Sequence, residues 1–267
     1  MTLNIQLLII DPQNDFCDPN GALFVPGADE DMKRLAAMVT RLESRLTDIS
    51  ITMDSHRHVD ISHPTWWKDS AGKPPAPFTI ITADDLVKGR WTTRQPGFLS
   101  RSLEYLRELE RRGRYPHCIW PVHCLIGDEG HNISPVLAQT IHAWELNRFA
   151  LPNVVTKGSN IWTEHFSAVQ AEVPDPEDPS TQLNSNLITT LEEADVILLA
   201  GEALSHCLAN TVRDIADNFH DASYIKKMVL LSDASSNVTG FDHFGDTFLR
   251  ELKAKGMQMS TTAEIFA

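Results

Sequence analysis

Three side chains that can hydrolyse an amide when they lie together follow separate apolar stretches of the chain. Asp11 follows LLII, Lys157 follows VVT, and Cys207 comes shortly after Gly201 in LLAGEALSHC. A cysteine near the start of a helix is ionised by backbone N–H groups and the helix dipole, and a lysine beside it lowers the pKa of the thiol further. A nearby carboxylate can take the thiol proton and return it to a leaving amine. The sequence therefore predicts a nucleophile, a positive charge and a proton carrier for hydrolysis through a thioester.

A second group of residues has the composition of a divalent metal site. Asp54 and His56 form a D-x-H pair at the end of an apolar stretch, and His123 lies far along the chain. Residues two apart in an extended segment point to the same side, so both can reach one ion. Three protein ligands leave positions open for water or substrate, and this donor set suits zinc, manganese or iron. His58 and His63 are further candidate ligands.

Each of these residues also has an ordinary structural explanation. Cys207 can be a buried small hydrophobic residue, and Asp11 can cap a turn. Lys157 can be a solvated surface lysine, and the histidines can be satisfied by hydrogen bonds. Their shared position favours a site, because they follow successive predicted strands, and open parallel sheets bind ligands beyond the carboxyl ends of their strands.

The elements that would position these residues are short apolar strands alternating with amphipathic helices. This pattern predicts an α/β fold, a three-layer sandwich with a central, mostly parallel six-stranded sheet. Helical spacing runs from Met32 to Leu46 and from Leu99 to Leu109, Ser134 and Pro135 start a further helix, and another begins at about His206. The predicted strands are Ile5 to Ile10, Ile49 to Met53, Cys118 to Trp120, Val154 to Thr156, Val196 to Ala200 and Met228 to Leu231.

Two stretches interrupt this alternation within what we expect to be one domain, 1–267. Residues 57–97 are rich in Pro, Trp and Gly, and residues 172–186 contain three prolines. Both are longer than an ordinary connection, which is typical of functional covers or interface elements. Exposed Trp66, Trp67 and Trp91 would favour a protein or ligand contact, and we expect a homo-oligomer; the alternative is that they pack the long segment onto its own domain.

Composition excludes several classes of partner. The chain has 267 residues, of which 42% are hydrophobic, and a formal net charge of −13. Like charges repel, so nucleic acid and anionic membranes are not expected as partners. The apolar N-terminal stretch has no basic region before it, and the four cysteines show no paired spacing. We therefore expect a soluble cytoplasmic protein with free thiols and a small-molecule partner.

At these residues the chain resembles the isochorismatase-like cysteine hydrolases, and nicotinamidases most of all. The matching segments occur in the family's order and cover most of the chain. They are IIDPQNDF, the D-x-H pair, WPVHC, the Lys157-Gly158 pair, EHFSAV and GEALSHC.

The resemblance implies a function for each matching position. The catalytic triad of nicotinamidases falls on Asp11, Lys157 and Cys207. Their metal ligands fall on Asp54, His56 and His123, and the metal binds the pyridine nitrogen of the substrate.

The remaining implied positions surround the substrate. Phe16 and Trp120 match the aromatic pair that flanks the ring. The backbone N–H groups of Ala203 and Cys207 match the oxyanion hole, and a cis peptide is implied between Glu202 and Ala203. Relatives without the metal ligands act on other substrates or are not hydrolases, so the resemblance implies a metal-dependent amidase that converts nicotinamide to nicotinate and ammonia.

Several departures from the family pattern leave other functions open. Glu202 stands where a small apolar residue is usual, and Leu204-Ser205-His206 replaces the usual residues before the cysteine. The interval from Asp54 to His123 is long, and Asn160 stands where some relatives offer an aromatic contact. Another small carboxamide or carbamoyl substrate is one alternative. A non-catalytic binding or assembly module is the other.

Overall fold

The structure is a computed structural model that describes residues 3–267, and its centre is a parallel sheet. Six strands form this sheet: β1 (Ile5–Ile10), β2 (Leu46–Asp54), β5 (Asn153–Lys157), β6 (Val196–Gly201), β7 (Met228–Leu231) and β8 (Gln258–Ser260). Two further strands, β3 (Trp67–Lys68) and β4 (Thr92–Thr93), pair with each other in a separate antiparallel sheet. The strand order is β5-β2-β1-β6-β7-β8, and every neighbouring pair is parallel. The predicted α/β class with a six-stranded sheet is therefore confirmed.

Helices flank this sheet and cover its central strands. All six residues of β1 are buried, as expected for a strand inside a covered parallel sheet. The helix α2 packs against α5, and α7 packs against α8. The helices are α1 (Asn14–Cys17), α2 (Ala28–Leu42), α3 (Ala83–Val87), α4 (Leu99–Arg112), α5 (Pro135–Arg148), α6 (Ser185–Glu192), α7 (Ala209–Asn218) and α8 (Asp242–Lys255).

The predicted strand from Cys118 to Trp120 is wrong. Cys118 makes only an isolated bridge with Ile80, and the Ile119 N–H donates to the Thr79 carbonyl. Its backbone groups thus pair with the 57–97 insertion rather than with the sheet. The sixth strand is β8 instead, a short edge strand whose residues are exposed or half-buried and which gives no apolar pattern.

Two predicted helix boundaries also differ from the structure. The pattern from Met32 to Leu46 spans two elements: α2 ends at Leu42, and Leu46 is the first residue of β2. The helix expected near His206 begins as a short π-helical turn, Leu204–Leu208, and continues as α7. The predicted starts at Leu99 and Pro135 are confirmed.

The insertion 57–97 folds around a hydrophobic cluster of its own. Trp66 and Trp67 are buried in it against side chains of α4, so the expectation that they are exposed is wrong. Their indole N–H groups donate to Ser102 Oγ (3.0 Å) and to the Ile61 carbonyl (2.7 Å). Trp91 is half-buried at the edge of the cluster. These tryptophans therefore pack the long segment onto its own domain, which was the alternative explanation. The homo-oligomer stays a prediction.

The second interruption, 172–186, contains a 3-10 turn, Pro179–Thr181, before α6 begins at Ser185. Within residues 3–267, no helix combines the length and apolar character needed to cross a bilayer.

Candidate active site

The predicted catalytic and metal-binding residues meet at the carboxyl edge of four adjacent strands. Asp11 follows β1, Asp54 ends β2, and Lys157 ends β5 directly opposite Asp54 in the strand register. Cys207 lies in the π-helical turn that follows β6. Parallel strands bring their carboxyl ends to one edge, which is why residues so distant in sequence share one site.

Lys157 lies at the centre of the predicted triad. Its Nζ is 2.9 Å from Asp11 Oδ2 and 3.6 Å from Cys207 Sγ. It is also 3.2 Å from Asp54 Oδ1, which belongs to the predicted metal site. All four side chains are buried. The triad and the metal site are therefore parts of one buried charge network.

The electrostatics of the triad differ from the prediction for the thiol. Burial raises the pKa of Cys207 well above its usual value, and Asp11 and Asp54 add to this against the opposing effect of Lys157. Burial likewise raises the pKa of Asp11. Lys157 keeps its proton, because Asp11 and Asp54 raise its pKa despite burial. The raised pKa of Cys207 thus favours a neutral thiol, and the expected thiolate is not supported.

The backbone at Asp11 aims its carboxylate at the site. Asp11 has a positive φ of 42°, and its N–H donates to the carbonyl and the hydroxyl of Thr52, each at 3.1 Å. The same hydroxyl donates to Asp11 Oδ1 at 2.5 Å. Thr52 on β2 therefore fixes one carboxylate oxygen, and the other faces Lys157.

The predicted metal ligands converge on one carboxylate oxygen. Asp54 Oδ2 is 3.1 Å from His56 Nε2 and 3.5 Å from His123 Nε2. His63 joins them: ligand atoms of His56, His63 and His123 all lie within 4.8 Å of one another. His58 is exposed and is not part of this cluster. One carboxylate and three imidazoles fit a divalent cation of the zinc, manganese or iron type.

The histidines of this cluster differ in protonation: Asp54 and Asp60 raise the pKa of His56 well above its usual value despite burial, so a bound cation would have to displace its proton. Burial, with His123 and His56 nearby, lowers the pKa of His63 to about 3, so its ring is a neutral donor. Asp54 stays ionised, because His56 and Lys157 lower its pKa despite burial. Asp60 accepts from His56 Nδ1 at 3.1 Å, the orienting contact that metal-binding histidines usually have. The sequence analysis missed Asp60, although its position four residues after His56 was visible.

The pocket beside Cys207 brings together the predicted substrate-binding residues. Phe16 and Trp120 both line it, and the Phe16 ring lies edge-on to His123 with centroids 5.5 Å apart. Ala203, predicted to donate to the oxyanion, also lines it. The other lining residues are Leu23, Asp54, His123, Glu164, Phe166, His206 and Val238.

Glu164 is a pocket residue that the sequence analysis did not single out. Trp120 Nε1 donates to its Oε2 at 3.1 Å, and the His165 N–H donates to its Oε1 at 3.0 Å. Burial raises the pKa of this carboxyl. Glu164 lies in the segment EHFSAV, but a single glutamate in a sequence does not indicate where its carboxyl points in the fold. Glu164 fixes the indole of Trp120 and adds an acidic group to the pocket wall.

His206, the residue before the nucleophile, is enclosed by aromatic rings. Phe241, Trp120 and Tyr115 are nearest, with centroids 5.0, 5.2 and 5.2 Å from the imidazole. Burial lowers its pKa to about 3, so the ring is neutral. Asn160 is directed elsewhere: its amide donates to Asp175 and Asp178 of the loop before α6.

The turn from β6 to the nucleophile needs glycine at its start. Gly201 has φ +106°, and a Cβ there would lie 2.1 Å from the Ile10 carbonyl oxygen. The peptide bond between Glu202 and Ala203 is cis, as the resemblance implies. The Ala203 N–H donates to no group within residues 3–267. That the N–H groups of Ala203 and Cys207 form an oxyanion hole remains a prediction.

Comparisons with known proteins identify the fold. No protein-family model and no curated protein matches the sequence. Solved structures do match. The yeast nicotinamidase bound to the inhibitor nicotinaldehyde is 20% identical, with 96% of this chain and 99% of that chain covered and a TM-score of 0.65. A nicotinamidase/pyrazinamidase from Acinetobacter baumannii is 19% identical, with 98% of each chain covered and a TM-score of 0.65.

A third similar structure holds a metal. The pyrazinamidase of Pyrococcus horikoshii in complex with zinc is 17% identical, with 97% of this chain and 99% of that chain covered and a TM-score of 0.58. The chain shares their fold. The fold implied by the resemblance to nicotinamidases is therefore confirmed along nearly the whole length of the chain.

Proposed function

We propose that this protein is a metal-dependent amidase that hydrolyses nicotinamide to nicotinate and ammonia through a cysteine thioester. The observation that carries the proposal is the placement of Asp11, Lys157 and Cys207 in one buried network, with Cys207 in the wall of a pocket that Phe16 and Trp120 also line. The fold similarity to nicotinamidases supports it.

The first half of the reaction uses the neutral thiol and the carboxylate. Asp11 takes the proton of Cys207 as the sulfur attacks the carboxamide carbon, and a C–S bond forms. Lys157, whose Nζ is 3.6 Å from the sulfur, offsets the negative charge that this transfer moves from Asp11 to Cys207. The N–H groups of Ala203 and Cys207 hold the oxyanion. Asp11 then donates its proton to the departing nitrogen, the C–N bond breaks, and ammonia leaves.

The second half regenerates the thiol. Asp11, again a carboxylate, takes a proton from a water molecule that attacks the thioester carbon. The C–S bond breaks, the proton on Asp11 returns to the sulfur, and nicotinate is released. Loss of a general base or an oxyanion donor typically lowers the rate by about 10²–10⁴.

Metal dependence is part of the proposal. Asp54, His56, His63 and His123 would hold the cation, whose chemistry when bound is that of a Lewis acid for the pyridine nitrogen. Asp60 would orient His56 toward it, and the Phe16 ring lies edge-on to His123 in the pocket wall. A similar fold that was solved with zinc supports this element of the proposal.

The test is ammonia release from a panel of small amides, measured for the wild-type protein and two variants. Cys207→Ala should abolish turnover, whereas Cys118→Ala, which removes a buried thiol outside the pocket lining, should not. A chelator should lower activity, and added zinc, manganese or iron should restore it. Turnover of other carboxamides but not nicotinamide would favour the alternative substrate. Inactivity on all of them would favour a binding module.

We also infer a homo-oligomer in the cytoplasm. Leu146, Phe149 and Leu151, at the end of α5, are 80%, 98% and 84% exposed, and such neighbouring apolar side chains favour contact with another copy. All four cysteines are free, which suits a reducing compartment. Light scattering on the purified protein tests the oligomer, and a monomer at micromolar concentration would contradict it.

A further inference from the structure

A buried acidic pair lies behind the nucleophile turn and has no part in the reaction proposed above. Glu202, at a position where the related pattern has a small apolar residue, directly precedes Ala203 and is completely buried. Asp31 of α2, only 2% exposed, meets it from the other side. A buried carboxyl in this turn needs a partner, because burial of an unpaired charge is costly.

The two carboxyls meet at one serine. Ser236 donates to an oxygen of each, and the second oxygen of Glu202, Oε1, is buried with no hydrogen-bond partner within residues 3–267. Two ionised carboxylates held this close would repel each other, whereas a proton on one of them lets the pair form a hydrogen bond. Burial is the main cause that raises the pKa of Glu202 well above its usual value, and the neighbouring Asp31 raises it further.

Other charged groups near the pair favour placing that proton on Glu202. Arg34, also of α2, contacts Asp31 and keeps one of its oxygens paired. Cys17 of α1 is the other titratable group beside the pair, and burial raises the pKa of its thiol well above the usual value. Arg34 therefore stabilises the ionised form of Asp31, whereas Glu202 lies against the Asp31 carboxylate, which favours the protonated form of Glu202.

The pair also holds a loop that forms one wall of the pocket. The Ser236 N–H donates to Glu202 Oε2 at 3.0 Å, and Ser236 Oγ donates to Asp31 Oδ2 at 2.6 Å. From the turn itself, the Leu204 N–H donates to the Ser236 carbonyl at 2.8 Å. Farther along the loop, the Val238 N–H donates to Ser205 Oγ at 3.1 Å, and Val238 lines the pocket.

We propose that Glu202 is a positioning residue: the proton that it shares with Asp31 fastens the loop 234–238 to the turn that carries Ala203 and Cys207. The fastened loop fixes the pocket wall at Val238 and the direction of the Ala203 N–H. Its consequence for catalysis rests on the proposed function, but the fastening itself does not.

Three variants separate this role from simple packing. Glu202→Gln keeps both contacts, because its oxygen accepts from Ser236 and its NH₂ donates to Asp31 without any proton to share. Glu202→Leu fills similar space and leaves the Ser236 N–H without its acceptor. Glu30→Gln is the control, since Glu30 precedes Asp31 on α2, is exposed, and pairs with the exposed Lys33.

Amide hydrogen exchange with mass spectrometry tests the fastening without any substrate. We expect Glu202→Leu to exchange at least about tenfold faster than wild type in the peptides covering 201–208 and 234–238, with Glu202→Gln and Glu30→Gln unchanged. On an amide that the wild type hydrolyses, kcat of Glu202→Leu should fall about tenfold with little change in KM, and Glu202→Gln should retain the wild-type kcat.

Either of two exchange results would overturn the proposal: wild-type protection in Glu202→Leu, or the same loss in Glu202→Gln as in Glu202→Leu. Equal kcat in all four proteins would also overturn it, because the fastening would then position nothing. A wild-type protein that hydrolyses no amide would contradict the proposed function instead, and the exchange comparison would still decide the fastening.

Discussion

At the scale of single residues, Lys157 is the side chain on which the buried charges depend. It is the cation closest to both Asp11 and Asp54, at 2.9 and 3.2 Å, and it also contacts the sulfur of Cys207. Desolvated carboxylates are tolerated when a cation pairs with them, and removal of one partner leaves an uncompensated charge. Lys157 is therefore expected to serve both the chemistry and the stability of the site.

Lys157→Met should lower kcat by at least about 10² and destabilise the fold by about 3–5 kcal/mol, because two buried carboxylates lose their cation. Steady-state kinetics and urea denaturation at neutral pH measure the two effects. Lys88→Met is the control: it removes an exposed lysine paired with Asp84, and such surface pairs contribute about 0–1 kcal/mol. A fully active Lys157→Met variant would remove Lys157 from the mechanism.

Sequence reasoning located the side chains of the site better than their protonation. Asp11, Asp54 and Lys157 were predictable because each comes directly after an apolar strand, and parallel strands end at one edge. The pKa of Cys207 was not predictable, since the direction of its shift depends on how deeply the sulfur is buried and on which carboxylates face it. Glu164 was missed for the same reason: only the folded chain places its carboxyl against Trp120.

At the scale of elements, the residue after β5 sets how closely that strand end approaches the metal cluster. Gly158 has φ +84°, and a Cβ there would lie 2.5 Å from Asp54 Oδ1 and 3.4 Å from the His56 ring. Glycine is required both for the backbone conformation and for the space, because a side chain would displace the carboxylate that the histidines share.

Gly158→Ala should therefore weaken metal binding at least about tenfold and lower amidase activity accordingly, because Asp54 must move. Gly72→Ala is the matched control. Gly72 has almost the same φ, +82°, but no atom lies within 4 Å of its added Cβ, so it reports the backbone strain alone. Zinc titration by calorimetry measures the affinity of each variant. Equal affinities would show that the close approach to Asp54 has no effect on the metal site.

The insertion reaches the pocket through a chain of hydrogen bonds. His117 Nε2 bonds to the Ile61 carbonyl at 3.0 Å, and the Tyr105 hydroxyl lies 3.3 Å from His117 Nδ1. The Glu164 N–H donates to the same hydroxyl at 3.3 Å. Burial lowers the pKa of His117 to about 4, so the ring is neutral, with Nε2 as donor and Nδ1 as acceptor. This chain of hydrogen bonds connects residue 61 of the insertion to the backbone N–H of the pocket residue Glu164.

Tyr105→Phe should raise KM several-fold, by about 3- to 10-fold, with a smaller effect on kcat, because the Glu164 N–H loses its acceptor and the pocket wall shifts. Stability should fall by about 1–2 kcal/mol. Tyr224→Phe, which removes a hydroxyl near exposed His220, is the control and should change neither. An unchanged KM in Tyr105→Phe would mean that the insertion does not tune the pocket.

The element that sequence reasoning misplaced belongs to this same region. The segment from Cys118 to Trp120 has the apolar pattern of a strand, but its backbone pairs with residues of 57–97. A local apolar pattern does not indicate which segment a stretch of backbone will pair with. The edge strand β8 was missed for the opposite reason, since it has few buried side chains. Strands buried on both faces, such as β1, carry the clearest signal.

At the scale of the whole molecule, the excess of acidic residues extends into the interior. The formal net charge is −13, and several carboxyls are buried away from the site. Glu172 is one of them: it is 5% exposed and lies 3.7 Å from Arg114, which makes its closer bonds with Asp214. Burial outweighs the attraction of Arg114 and raises the pKa of Glu172 to about 7.

This raised pKa makes the stability of the whole fold depend on pH in a defined direction. In the unfolded chain Glu172 titrates near 4.5, and in the folded protein near 7. Below both values it is neutral in each state and costs nothing. Between them the folded state holds a proton that the unfolded state has lost, so the free energy of unfolding falls by about 1.4 kcal/mol per pH unit. Above about pH 7 the full penalty of about 3 kcal/mol applies.

Glu172→Gln should remove this penalty, because the amide stays neutral at every pH. We expect the variant to be up to about 3 kcal/mol more stable than wild type at pH 8 and equal to it near pH 4.5, as measured by urea denaturation in matched buffers. Glu177→Gln, at an exposed position of the same stretch 172–186, should change stability equally little at both pH values. If the difference in the free energy of unfolding between Glu172→Gln and wild type did not grow with pH, the charge of Glu172 would have to be fully paired in the folded protein. Burial of that charge would then carry no cost.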